Sequence, residues 1–181
     1  MRAITISRRD FREFDSRINF YTEESGKIEA VARGVKKIIA KNAPALEPFA
    51  LLEIELAPGR GLTYVTRAQV VESFPGLRSD IRKILLSSYC INLVDEFTQP
   101  GEKDAKVFAM LYKFLKHADA AAETNNLMAY DFLLRLLGAL GFAPPGDKAA
   151  DSWVIPYAEY HLNRRVPDIA KFAEKLYSYE K

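Results

Sequence analysis

The sequence is poor in the side chains that carry out chemistry. Its 181 residues include one cysteine, Cys90, two histidines, His117 and His161, and one tryptophan. A single cysteine excludes an internal disulfide and any cysteine-rich zinc site. Cys90 lies in the apolar stretch SSYCINLV and reads as a small buried hydrophobe, not a reactive thiol. Neither histidine has a metal-ligating neighbour at helical or loop spacing, so each reads as a surface or helix-end residue and no metal is expected. The phosphate-cradling, dinucleotide-binding, nucleophile-elbow and zinc-hydrolase motifs are all missing. Gly59-Arg60-Gly61 is too short for a phosphate cradle and reads as a hairpin turn. The acid pairs Glu23-Glu24, Glu53 with Glu55, and Asp95-Glu96 read as solvated faces or helix ends. Paired carboxylates do acid–base work only when burial or close approach separates their pKa values. Catalytic residues and cofactors are therefore expected to be absent, and the chain reads as a non-enzyme. Long apolar runs are missing too, so no membrane span is expected. The opening MRAITISRRDF has neither the apolar core nor the cleavage site of a signal peptide. The expected location is cytoplasmic.

What is present is an ordinary globular composition, 49% apolar and 28% charged. The length suits one large domain or two small ones with a real core. The net charge of +2 is too small to imply nucleic acid by itself, but it is unevenly placed. Residues 1–76 hold 12 Lys and Arg against 10 Asp and Glu, whereas residues 77–181 hold 14 of each. The excess concentrates between Lys27 and Lys41, where five cations face one acid, Glu29.

The first third alternates like β structure. Ala3–Arg9 sets Ile4 and Ile6 opposite Thr5 and Ser7, and Asp15–Glu23 sets Ile18, Phe20 and Thr22 opposite Arg17, Asn19 and Tyr21. Ser25-Gly26 marks a turn into Lys27–Gly34. Phe49–Ala57 sets Leu52, Ile54 and Leu56 opposite Glu53 and Glu55, and Pro58–Gly61 turns the chain into Leu62–Phe74. Five short antiparallel strands with one irregular, basic connection suit a small closed barrel of the OB type. A half-open sandwich is the alternative.

Pro75-Gly76 ends the β pattern, and an all-α domain follows. Arg78–Phe97 is apolar around most of its circumference, as a central helix would be. Asp104–His117 carries a broad apolar stripe, and Asn125–Leu140 is nearly apolar apart from Asp131 and Arg135. A last helix is expected from Asp168 through Ile169, Phe172, Ala173 and Leu176. Residues 151–165 read equally as strand or helix. The expected organisation is thus α+β: a five-stranded barrel over 1–76 and a helical domain over 77–181.

The candidate site is the basic set of the barrel. Arg8 and Arg9 follow the first strand, and Arg17 lies on the second. Lys27 and Arg33 bracket the third, Lys36, Lys37 and Lys41 fill the connection, and Arg60 tips a hairpin. Any one of these alone is an ordinary soluble surface residue. Strand ends and connections of a small barrel converge on one rim, however, and a shared positive stripe there would neutralise phosphates in a salt-dependent, sequence-independent way. Single-strand binders add aromatic stacking platforms. Phe11, Phe14, Tyr21 and Tyr64 are the candidates, each equally suited to ordinary packing.

Four segments then carry a resemblance. ISRRDF from Ile6, GKIEAVARG from Gly26 with its trailing lysines, ALEPF from Ala45 and VESFPGLRSD from Val71 together resemble the bacterial recombination mediator family RecO, in that family's order. The stretch LLRLLGALGFAP from Leu133 matches a later helix of the family. The resemblance implies an N-terminal OB fold joined to a helical domain. It also implies binding of single- and double-stranded DNA, annealing of complementary strands and assistance in recombinase loading. The partners it implies are RecR and the acidic C-terminal tail of single-stranded-DNA-binding protein, with a nucleoid-associated location. Arg8, Arg9, Arg33, Lys36 and Lys37 match the family's basic segments; Arg17, Lys27, Lys41 and Arg60 are added from charge and placement. Many members carry a four-cysteine zinc element where this chain reads PGDKAADSW from Pro145, so a zinc is not expected and the helical domain reads as shortened. Lys113, Lys116 and Arg135 are candidate cations for rimming an apolar pocket that takes the partner tail. The competing reading is a protein-interaction module with little DNA affinity. A hydrolase would need a deep polar pocket.

Overall fold

The computed structural model describes residues 1–36, 46–146, 150–169 and 172. Its first elements are β1 (Arg2–Asp10), β2 (Ser16–Thr22), β3 (Gly26–Ala32), β4 (Ala50–Pro58) and β5 (Thr63–Ser73). They close into a barrel in the order β1-β2-β3-β5-β4, with every pairing antiparallel except β3 with β5. This is the OB-type barrel expected from the alternation, and closure removes the half-open sandwich.

The alternation decides which side chains fill the barrel. Ile18 and Phe20 of β2, Ala30 and Ala32 of β3, Leu52 and Ile54 of β4 and Ala68 of β5 form one buried cluster, joined by Val35 and Leu46. A fully buried Phe or Leu contributes roughly 1.5–3 kcal/mol, so this cluster dominates the barrel's stability. On β1 the residue turned into that cluster is Ala3, and Ile4 faces outward. The β1–β2 register shifts between Thr5 and Ser7, leaving Ile6 as the extra residue of a bulge.

The outward face is buried where β1, β2 and β4 adjoin, and again at Val31 on β3. Ile4, Tyr21 and Leu51 are register neighbours, and each is at most 1% exposed. The chain forms two compact units, and the segment Thr98–Tyr112 groups with Met1–Phe74 in the first. Within that unit the Gly101 amide donates to the Lys27 carbonyl at 2.9 Å. Gly26 has φ +64° and lies so close to Glu102 that a Cβ there would stand 1.9 Å from the Glu102 carbonyl oxygen, a position only glycine fits.

The second unit comprises Pro75–Phe97 and Lys113–Lys181, so the division falls within a helix. The helices are α1 (Pro75–Arg78), α2 (Ile81–Phe97), α3 (Ala105–Ala120), α4 (Asn126–Ala139) and α5 (Val154–Leu162). Pro75 opens α1, where its missing N–H costs nothing. Asp80, Asp104 and Asn125 accept from backbone amides in the first turns of α2, α3 and α4. α2 is buried on most sides, as its apolar circumference requires, and Cys90 and Tyr89 on it are fully buried. Burial pushes the Cys90 thiol well up, which makes it inert. Residues 154–162, ambiguous in sequence, are helical. Ile169 and Phe172 are helical, and the rest of the expected last helix lies outside the described residues. His117 and His161 fall in the last turns of α3 and α5 and are exposed.

Candidate nucleic-acid interface

Strand register places the basic residues. One continuous row of paired residues crosses the barrel from Arg9 to Arg17 to Val31 to Tyr64 to Ala57. At about 4.8 Å per strand the row spans ~19 Å. Its members share the outward face, because inward positions alternate with them on each strand. Two loops flank it. The β1–β2 loop supplies Phe11, Arg12 and Phe14, and the β4–β5 hairpin supplies Arg60, held by a Gly59 amide donating to the Leu62 carbonyl at 2.7 Å. Strands 2 and 3 with these two loops are the surface on which OB folds hold oligonucleotides.

The turn leaving β3 is fixed to the β1–β2 loop. The Gly34 amide donates to Asp15 Oδ1 at 2.8 Å, and the Lys36 amide donates to the Phe14 carbonyl at 3.1 Å. These bonds bring Arg33 and Lys36 to the loop that carries Phe11 and Arg12. A groove of about 350 Å³, lined by Glu29, Ala30, Val31 and the hairpin residues Pro58, Gly59, Gly61, Leu62 and Thr63, runs beside them.

The cations differ in how they are held. Arg8 is paired with Glu47 and also donates to Ser16 Oγ at 3.4 Å. Arg17 pairs with Glu29 at 2.9 Å, and Lys36 pairs with Asp10 at 3.4 Å. Arg9, Arg12, Arg33 and Arg60 are exposed and form no ion pair among the described residues. Arg17 stands 4.3 Å and Arg12 5.0 Å from the centroid of the Phe11 ring, and Arg33 stands 3.9 Å from that of Tyr64.

Two of the expected residues, Lys27 and Tyr21, fall elsewhere. Lys27 pairs with Tyr21, four residues along β3 from Val31 and so roughly 13 Å from the row. Lys37 and Lys41 lie outside the described residues. Tyr21 is 0% exposed and is no stacking platform. Its hydroxyl is pushed up to about 12 by burial first, then by the nearby Asp104 and Glu102 carboxylates. Its outward position in the alternation was read correctly, but a segment some 80 residues away covers that face. Arg12 was missed: it lies between Phe11 and Glu13 in a short loop, and its proximity to an aromatic was the available signal.

The three candidates of the second unit stand on α3 and α4. Lys113 and Lys116 are exposed on α3, and Arg135 on α4 is paired with Asp131 at 2.7 Å. That bond raises the pKa of the Arg135 guanidinium. Among the unit's described residues, an apolar pocket of about 250 Å³ is lined by Arg82, Leu85, Leu86, Thr124, Asn125, Asn126 and Ile169.

With this geometry in hand, comparison with known proteins is decisive. Residues 1–74 match the family model for the N-terminal domain of recombination protein O, and residues 78–155 match that for its C-terminal domain. The chain belongs to the RecO family. A DNA repair protein RecO of Geobacter metallireducens is 36% identical over 152 residues, covering 84% of this chain and 62% of that protein. A RecO of Geobacter sulfurreducens is 30% identical over 158 residues, covering 81% of this chain and 65% of the relative. A third, from Pelotomaculum thermopropionicum, is 33% identical over 142 residues, covering 78% and 55%. The chain therefore spans roughly three fifths of the length of these RecO relatives. Among the described residues no helix is long and apolar enough to cross a membrane.

Proposed function

We propose that this chain is a DNA-binding repair factor whose barrel holds the sugar–phosphate backbone along the Arg9–Tyr64 row. The observation that carries the reading is the row itself. Strand register sets Arg9 beside Arg17, the two flanking loops add Arg12 and Arg60, and the turn leaving β3 adds Arg33 and Lys36. Several cations on one face bind by displacing counterions, which gives affinity without sequence preference. Such binding brings two strands together without breaking a bond, which is what annealing requires. On this reading the chain binds single- and double-stranded DNA, anneals complementary strands and assists recombinase loading, with no bond-making catalysis. A RecR-like protein and the acidic tail of single-stranded-DNA-binding protein are its proposed partners. The proposed location is the nucleoid.

A second reading draws on the three pairs Arg8–Glu47, Arg17–Glu29 and Lys36–Asp10. They spend part of the positive charge internally and favour a protein-interaction module of low DNA affinity. Fluorescence anisotropy of a labelled single-stranded oligonucleotide across a salt series separates the two. Binding that falls steeply with salt is the expected result. No binding at low salt would overturn the DNA reading and turn the search to protein partners.

A further inference from the structure

Tyr64 is held on several sides. Its register partners are Val31, which is 1% exposed, and Ala57. Gly59 abuts one edge of the ring so closely that a Cβ there would stand 2.3 Å from Cε2 and 2.8 Å from Cδ2. Over the ring lies the Arg33 guanidinium, 3.9 Å from the centroid. Arg33 is nonetheless exposed and has no carboxylate partner among the described residues. The guanidinium thus rests against tyrosine while the residue stays exposed.

From this arrangement we infer that Arg33, fixed on Tyr64, is a stacking surface for an unpaired nucleobase. The inference rests on the DNA-binding reading and deepens it by naming the feature of DNA that this position senses. A guanidinium is planar, weakly hydrated and always charged, so it can stack on a base while its N–H edge meets a phosphate. Holding it on tyrosine beforehand removes most of the side-chain entropy that such a contact would otherwise cost. The groove is lined by Val31, which pairs with Tyr64, and by Gly59, which abuts its ring. Arg17, over Phe11, is already paired with Glu29; of the two unpaired guanidinium groups near a ring among the described residues, Arg33 stands closer to its ring, at 3.9 Å, than Arg12 does to Phe11, at 5.0 Å. A duplex keeps its bases stacked on one another and offers only phosphates. Arg33 therefore biases the face toward single strands.

The test uses the full chain and two labelled strands of equal length, one an ordinary deoxyoligonucleotide and one with abasic sites throughout. Both carry the same phosphates, but only the first has bases. Wild type is expected to bind the abasic strand about tenfold more weakly, the size of one lost stacking contact. Arg33→Lys keeps the charge and loses the plane. It is expected to bind the ordinary strand about tenfold more weakly than wild type, to bind the two strands alike, and to keep the wild-type salt slope. Equal wild-type affinity for the two strands overturns the inference while leaving phosphate binding intact. So does an Arg33→Lys variant that matches wild type on both strands. No binding of either strand at low salt overturns the DNA-binding reading and this inference with it.

Discussion

Arg9 and Arg17 stand directly opposite each other across the β1–β2 ladder. Like charges at such a position are unfavourable by a few tenths of a kcal/mol or more, and a hairpin under selection for stability alone would place an acid at one of them. Two cations on neighbouring strands suit a ligand that brings the missing negative charge.

Arg9→Gln should therefore separate stability from binding. Removing the repulsion should leave urea unfolding unchanged or stabilise the fold by a few tenths of a kcal/mol. The same change should weaken binding of a single-stranded oligonucleotide and lower its log–log salt slope by roughly 0.7. A variant that binds as wild type does at every salt concentration would remove Arg9 from the interface.

Glu29 acts in the opposite direction. Glu29 lines the groove and its carboxylate holds Arg17 at 2.9 Å, with both side chains more than a third exposed. An exposed pair of this kind contributes roughly 0–1 kcal/mol to folding, so its loss is tolerable. Glu29→Gln should leave the melting transition within a few degrees of wild type. It should tighten oligonucleotide binding about two- to tenfold at low salt, because Arg17 is released and a repelling charge is gone. Unchanged affinity would mean that Arg17 does not contact the strand.

How much of this was legible in the sequence depends on the range of each contact. The period-two pattern correctly put Ile18 and Phe20 in the barrel and Arg17 on its surface, because a strand's faces are fixed by local geometry. The β1–β2 register that sets Arg9 opposite Arg17 was not read from the sequence. Local pattern could not show that Thr98–Tyr112 packs with the barrel and buries Tyr21, or that β5 meets β3 in parallel and brings Tyr64 beside Val31. Nor could it show the Arg8–Glu47 pair, whose members are 39 residues apart. Residues 151–165, which read equally as strand or helix, contain Pro156. It falls in the first turn of α5, where a proline is tolerated because the helix has not yet begun to use those N–H groups.

Gly26 tests the long-range contact. Alanine there meets two costs, a left-handed backbone at φ +64° and a carbonyl oxygen 1.9 Å from the new Cβ. Left-handed strain alone amounts to about 1–2 kcal/mol for a residue with a Cβ. Displacing Glu102 also disturbs the Gly101–Lys27 hydrogen bond. Gly26→Ala should lower stability by more than about 2 kcal/mol in urea unfolding. Its oligonucleotide affinity per folded molecule should be unchanged, because the site is at the far end of β3 from the row. A loss of stability under about 0.5 kcal/mol would mean that Glu102 does not pack there.

Tyr21 supplies a pH signature for the same packing. An unfolded tyrosine titrates near 10, and burial pushes Tyr21 up to about 12 in the folded chain. Between those values the folded state binds the proton that the unfolded state has released. Its contribution to stability is thus fully present below pH 10 and is lost as pH rises through 12, at about 1.4 kcal/mol per pH unit. Tyr89 is raised as well, by burial first, and donates its hydroxyl to the Pro167 carbonyl at 2.8 Å, and burial raises the Cys90 thiol too, so Tyr21 is one of three such groups among the described residues. Tyr21→Phe removes one of them and leaves Tyr89 and every lysine in place, so the difference from wild type isolates this residue. Urea unfolding at pH 7 should show the variant within about 1 kcal/mol of wild type, since Tyr21 loses a hydroxyl but keeps its ring. Repeated at pH 10, 11 and 12, the wild type should lose stability more steeply than the variant, by about one proton's worth of slope. Parallel pH dependences would mean that the Tyr21 hydroxyl is open to water, and that Thr98–Tyr112 does not cover the barrel.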